Sequence, residues 1–352
     1  MPTTARVVVL PTETSQLRLE EVKLPDPGPR QVVVKQVASG VCHSQLHQMH
    51  RARDWPVILG HESTGFVLAA GSEVTHVVEG DRVMVTWVAR DRARAGRAAE
   101  PATLDLPDGA VARSQNVFTW ADHTIADEQF VVRLPDDVPM DVTAIIGCAV
   151  MTGAGAVYHT AGVREGQSVA VFGVGGVGLS AVAAAAVIGA DPIIAVDLSD
   201  EKLDFARRFG ATVAVNAAAD DPVERIRAIT GGGAEYAFDC IGVKTTMEQI
   251  LPAVRPGIVG ESSGGTAVLV GVPMTTAELD MRDLLVNEKT LKGSIGGSCR
   301  PERDFPLFLR WFKEGALDLN ALVTTRYRLD QINEATAALQ AGQIAGRAIL
   351  VM

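Results

Sequence analysis

The stretch Ser168–Asp197, SVAVFGVGGVGLSAVAAAAVIGADPIIAVD, decides the fold. "SVAVFG" (168–173) is a short apolar run ending on glycine, which reads as a buried strand. Gly173-Val-Gly175-Gly176-Val-Gly178 then fits G-x-G-x-x-G. "GVGLSAVAAAAVIGA" (176–190) is a run of good helix formers closed by Gly189, and "PIIAVD" (192–197) is a second strand. In such a unit Gly173 permits the tight turn and Gly175 lets the backbone approach a pyrophosphate. Gly176 and Val177 open the helix whose N-terminus faces the phosphates, and Gly178 allows the helix to lie close on the strand. Asp197, at the end of the second strand, can accept hydrogen bonds from an adenosine ribose. Its charge would repel a 2′-phosphate, which favours NAD over NADP. Leu198 adjoins it, and Lys202 reaches toward the same ribose or into solvent. The alternative is a glycine-rich turn in a flavodoxin-like sheet without a dinucleotide, and the placement of Asp197 weighs against it.

Outward from this unit the alternation continues. "SDEKLDFARRFG" (199–210) is a helix with a serine cap, acids in its first turn and bases in its last. "ATVAV", "DPVERIRAIT", "EYAFDCIG", "TMEQILPAV", "TAVLVGV" and "RDLLVNE" follow. Strands alternating with helices imply an α/β fold with a doubly wound parallel sheet of Rossmann type over residues 151–296. Upstream, "ARVVVL", "QVVVKQVASGV", "TGFVLAAG" and "DRVMVTWV" are short β-type runs cut by Pro and Gly, so residues 1–150 read as a mainly β domain. The amphipathic "ERDFPLFLRWFKEG", a strand-like "ALVTTRYRL", the helix "DQINEATAALQAG" and a final strand "AILVM" occupy 297–352, which is expected to complete the first domain.

The chain has 352 residues, 47% hydrophobic and 21% charged, enough to bury two cores and too apolar for disorder. A formal charge of −10 implies no basic surface for nucleic acid. The arginine-rich stretch Ala89–Arg97 has no interleaved aromatics and reads as a solvated loop. Gly166–Ala190 carries no charge, but its glycines favour a strand–turn–helix over a membrane span. With no leader pattern and no paired cysteine framework, a reduced, cytoplasmic protein is expected.

Chemistry concentrates in "SGVCHSQLHQMH" (39–50), where Cys42, His43, His47 and His50 crowd together. "GHE" (60–62) and "GCAVMTGAG" (147–155) add His61, Glu62 and Cys148. Cys42, His61 and Cys148 would make a Cys₂His set with one open position, as catalytic zinc prefers. No local spacing rule links the three. A buried cysteine serving only as core is the competing reading.

The chain resembles the zinc-dependent medium-chain alcohol dehydrogenases over essentially its whole length. The matching segments are "GVCHSQLH", "PVILGHESTGFV", "GDRV", "IIGCAVMTGAGAV", "VAVFGVGGVGLSAV", "AVDLSDEKLDFARRFGAT", "FDCIG" and "YRLDQINEATAALQAG". The resemblance implies a GroES-like catalytic domain beside the Rossmann domain, with NAD and zinc as cofactors and a small alcohol, aldehyde or ketone as substrate. It implies Cys42, His61 and Cys148 as ligands, with Glu62 beside the metal. It places Ser44 and His47 on a proton relay, and His43 and Arg347 at the phosphates. Thr152 falls by the nicotinamide, Ile241, Val270 and Val272 on the cofactor groove, and Trp87 on the substrate pocket. His50 and Cys299 match no role, and Cys240 reads as core. Many relatives carry a second zinc on four cysteines after "GDRV". Residues 89–115 contain no cysteine here, so one zinc per chain is expected. A homodimer or homotetramer is expected, with no nucleic acid or membrane partner. The alternatives are a thiol-adduct formaldehyde dehydrogenase of the same family, a variant that keeps its NAD permanently, and a noncatalytic NAD-binding relative. A cysteine hydrolase using Cys42 with His43 or His47 would leave the glycine motif unexplained.

Overall fold

Six strands, all parallel, run in the spatial order Val213–Asn216, Ile193–Asp197, Val169–Phe172, Tyr236–Asp239, Thr266–Leu269 and Thr290–Gly293. Numbered along the chain this is 3-2-1-4-5-6, the order of a dinucleotide-binding sheet. The order reverses between Val169–Phe172 and Tyr236–Asp239, where Phe172 pairs with Asp239. The central strands are buried on both faces, and that is why they read as continuous apolar runs. Helix Gly176–Ile188 is buried over Gly176 and Gly178–Ala185 and ends on Gly189 in the left-handed conformation. An all-round apolar helix belongs in a core, which accounts for the long uncharged stretch. Among the described residues no helix is long and apolar enough to cross a membrane.

The structure is a computed structural model that describes residues 3–91, 98, 99 and 101–352. Arg92–Arg97 of the arginine-rich stretch lie outside the described residues. The parallel sheet belongs to a unit of Ala149–Cys299 and Arg310–Asp318, and the other unit comprises Met1–Cys148, Arg300–Leu309 and Leu319–Met352. Local capping follows the sequence closely. The Ser199 hydroxyl accepts from the Lys202 amide at the start of helix Asp200–Arg207, and Asp221 caps Pro222–Thr230. Helix Ala149–Gly155 was not apparent as a helix, because Gly153 and Gly155 interrupt its pattern. Gly153 is small for a packing reason. A Cβ there would lie 2.9 Å from both the Ala181 amide and the Ser180 Cβ of the neighbouring helix.

The other unit is built from two mainly antiparallel sheets. Strand Gln31–Val41 pairs with Glu62–Ala70 on one side. It also pairs with His123–Asp127 and with the last strand, Arg347–Val351. Arg347–Val351 in turn runs parallel to Val323–Arg328. The second sheet orders Arg18–Lys23, Thr4–Leu10, Val57–Ile58, Val111–Arg113 and Thr103–Asp105. Val8, Leu46, Trp120, Ile332 and Leu350 share one buried cluster, so helices His43–Met49 and Ile332–Gln340 sit on a common core.

Candidate functional site

Three chain turns build a candidate metal site. Cys42 follows strand Gln31–Val41 with extended backbone (φ −101°, ψ 141°) and opens helix His43–Met49. His61 precedes strand Glu62–Ala70, behind Gly60 at φ +93°, a conformation that glycine adopts without strain. Cys148 ends the 3₁₀ turn Val142–Gly147. Cys42 Sγ and Cys148 Sγ stand 3.8 Å apart, and His61 Nε2 is 3.2 Å from Cys148 Sγ. A disulfide would need about 2.05 Å. Two sulfurs each about 2.3 Å from a tetrahedral ion stand about 3.8 Å apart, so the donor set fits zinc. Glu62 joins the group, and all four donor atoms lie within 4.8 Å of one another.

The electrostatics are those of a pair sharing a proton. The hydrogen bond from Cys148, against the cost of burial, holds the Cys42 thiol well below its usual range, and Arg347 and His61 assist. The same bond and burial push Cys148 well above it. Glu62 is fully buried and bonded to Arg347 on the last strand. Burial pushes the Glu62 carboxyl up, while Arg347 opposes that rise. Burial acts to lower Arg347, but Glu62, Cys42 and Cys148 outweigh it and keep the guanidinium charged. Arg347 Nε has no hydrogen-bond partner among the described residues.

Around the trio, the Ser44 hydroxyl donates to Cys42 Sγ at 3.2 Å. His47 is half-buried, its Nδ1 lacks a partner among the described residues, and its ring meets that of exposed His43 edge-on at 5.5 Å. Burial, then the neighbouring His43, lowers the His47 pKa. Trp87 meets His61 edge-on at 6.2 Å and packs on the Val32–Val131 core. His50 has a structural role: its Nδ1 lies 2.6 Å from the Leu46 carbonyl and closes the helix. Gln45 was missed in the sequence. It is buried, its Oε1 accepts from the Gly60 amide at 2.5 Å, and its Nε2 lies 2.7 Å from His61 Nδ1. A neutral side chain one turn into the helix offers no signal until the fold sets it against His61.

A separate group of the residues singled out in the sequence lies on the parallel sheet. A Cβ on Gly178 would overlap the Gly173 carbonyl, so the helix and turn are in direct contact there. Nothing lies within 4 Å of where a Gly175 Cβ would stand, and open space at that point is what an approaching phosphate needs. Asp197 Oδ2 accepts from the Val174 amide at 3.0 Å, and Oδ1 from Leu198 and Ser199. Leu198 is 70% exposed, Ile241 41% and Val272 38%. Val270 and Thr152 are buried, and Thr152 Oγ1 has no partner among the described residues. Lys202 is half-buried one turn into its helix. Exposed apolar side chains flanking an open glycine loop fit a flat-ringed dinucleotide. Cys299 is core, its Sγ donating to the Met151 carbonyl at 3.4 Å. Burial pushes the Cys240 thiol up.

Comparison with known proteins agrees with both groups. Residues 28–136 match the alcohol dehydrogenase GroES-like domain, and residues 176–314 match the zinc-binding dehydrogenase model. Geraniol dehydrogenase of Castellaniella defragrans is 32% identical over 96% of this chain and 95% of its own. The chain belongs to the zinc-dependent medium-chain alcohol dehydrogenase family. Among solved structures, an alcohol dehydrogenase zinc-binding domain protein from Burkholderia ambifaria superposes with a TM-score of 0.91 at 31% identity, covering 100% of both chains. Benzyl alcohol dehydrogenase of Acinetobacter calcoaceticus gives 0.88 at 29%, covering 99% of both. This alcohol dehydrogenase is an enzyme that moves hydride between an alcohol and NAD, with zinc as its metal.

Proposed function

We propose that the chain oxidises primary alcohols whose carbinol carbon adjoins an unsaturated or aromatic carbon, using NAD and one zinc held by Cys42, His61 and Cys148. The observation that carries the metal assignment is the 3.8 Å separation of the two sulfurs with His61 alongside. The substrate class rests on two relatives, named for geraniol and benzyl alcohol, each of which has its hydroxyl on such a carbon. Trp87, set edge-on to His61, supplies a flat apolar wall for it.

When bound, the metal supplies Lewis acidity that acidifies an alcohol, and NAD supplies the hydride acceptor. The chain's own residues do the rest. Ser44 carries a hydroxyl that both donates and accepts, as a relay needs. His47, kept neutral by its lowered pKa, takes the proton onward to solvent. His43 and the Arg347 guanidinium are the groups assigned to the phosphates, and Glu62 balances Arg347 within the metal cluster. Asp197 selects the unphosphorylated ribose. Thr152, Ile241, Val270 and Val272 line the groove for the cofactor.

We place the enzyme in the cytoplasm as a homo-oligomer. All four cysteines are free, which suits a reducing compartment. Initial rates of NADH formation test the substrate class. Benzylic and allylic primary alcohols should exceed saturated primary and secondary alcohols in kcat/KM. Preference for a secondary alcohol, or for formaldehyde only when a thiol is present, would overturn it.

A further inference from the structure

Asp239 ends the central strand Tyr236–Asp239 at the point where the strand order reverses, and it is fully buried. Its Oδ1 accepts from the amides of Ile241 at 2.9 Å and Gly242 at 3.0 Å, and from the Thr246 hydroxyl at 3.0 Å. Its backbone carbonyl accepts from the amides of Val270 at 2.9 Å and Gly271 at 2.8 Å. One residue therefore ties down two loops, 240–242 and 270–272, at the carboxyl ends of adjacent strands. The loops also interlock. A Cβ on Gly242 would lie 2.7 Å from the Val272 carbonyl oxygen, and one on Gly173 would lie 2.8 Å from Ile241 Cδ1.

These loops carry Ile241, Val270 and Val272. They lie across Val169–Phe172 from Ile193–Asp197, the strand that ends on the ribose-selecting Asp197. A dinucleotide straddles the reversal point. With the adenosine half on the Asp197 side, the nicotinamide half falls over the loops that Asp239 holds. We infer that the Asp239 side chain is a positioning group for the nicotinamide half of NAD, acting through the 240–242 loop, which packs against 270–272, without touching the cofactor. The inference rests on the assignment of the glycine loop to the pyrophosphate. Burial pushes the Asp239 carboxyl up, while the loop amides and Thr246 oppose the rise. Asp239 Oδ2 has no hydrogen-bond partner among the described residues, so the side chain acts as an acceptor through one oxygen. An asparagine can replace that oxygen.

The test is equilibrium binding of NADH and of ADP-ribose, which lacks the nicotinamide, to wild type, Asp239→Ala and Asp239→Asn. Asp239→Ala should weaken NADH roughly tenfold, the scale of a lost buried hydrogen-bond network. ADP-ribose affinity should stay within about twofold on the same reasoning, and Asp239→Asn should restore most of the NADH affinity. Should Asp239→Ala not fold, Thr246→Val removes one donor to the same oxygen and should weaken NADH alone by about threefold. Equal weakening of both ligands, or no change in either, would overturn the inference. Wild type that binds neither ligand would instead overturn the underlying glycine-loop assignment.

Discussion

At the scale of single residues, two side chains carry the proposed cofactor selectivity and pH response. Asp197 is held by amides of the glycine loop and of its own turn, so its charge has a fixed place. Two like charges about 4 Å apart cost about 4 kcal/mol at an effective dielectric near 20. Asp197→Asn should therefore narrow the NAD-over-NADP ratio of kcat/KM by about tenfold or more, measured side by side; an unchanged ratio would remove Asp197 from the selectivity role. His47 accepts a proton only when neutral. Its pKa is depressed below the ordinary 6.5 by burial and by His43, so it stays neutral further into acid. The acid limb of kcat for alcohol oxidation should thus lie below pH 6.5, and His47→Gln should lower kcat and abolish that limb. A limb that persists in the variant would assign it to another group.

At the scale of elements, the edge of the parallel sheet stands out. Among the described residues, strand Thr290–Gly293 pairs on one side only. Around it Leu285 is 77% exposed, Val286 53%, Leu291 41% and Ile295 66%. The turn carrying exposed Ile258 and Val259 is tied to the same region by bonds from Gly257 to Asn287 and from Gly264 to Glu288. An open strand with apolar flanks is the surface on which the proposed homo-oligomer would pair, a second copy of the chain offering the matching edge. Sedimentation equilibrium should find a dimer or a multiple of it, and Leu285→Asp with Leu291→Asp should give monomers; a monomeric wild type would contradict the homo-oligomer. Element by element, the inner part of the parallel sheet was legible because strands such as Val169–Phe172 and Ile193–Asp197 are continuous apolar runs and helices such as Asp200–Arg207 and Pro222–Thr230 carry side-chain caps at Ser199 and Asp221. The edge strand Thr290–Gly293, TLKG and mostly exposed, carries no such signal. The metal trio was legible as residue types but not as a cluster. Cys42, His61 and Cys148 meet through the path of three separate turns, and no local pattern encodes that meeting. Gln45 and Asp239 were invisible for the same reason. Each acts through partners that the fold, not the adjacent sequence, sets beside it.

At the scale of the whole molecule, the chemistry is divided between two units. One carries the donors for a metal and the hydroxyl and imidazole of the proposed relay. The other carries the glycine loop, the acid proposed for the ribose and the loops tied by Asp239. The cysteine-free sequence 89–115 excludes a thiolate zinc site within that segment, and Cys42, His61, Glu62 and Cys148 bring two thiols together in one cluster. The most direct test is zinc content by mass spectrometry on wild type and Cys42→Ala purified in parallel, with NADH binding recorded on both. A single Cys₂His set with one open position predicts about one zinc per wild-type chain. The variant should lose that zinc and its alcohol oxidation while still binding NADH. Full zinc retention in Cys42→Ala, or a second tightly held zinc in the wild type, would contradict the account.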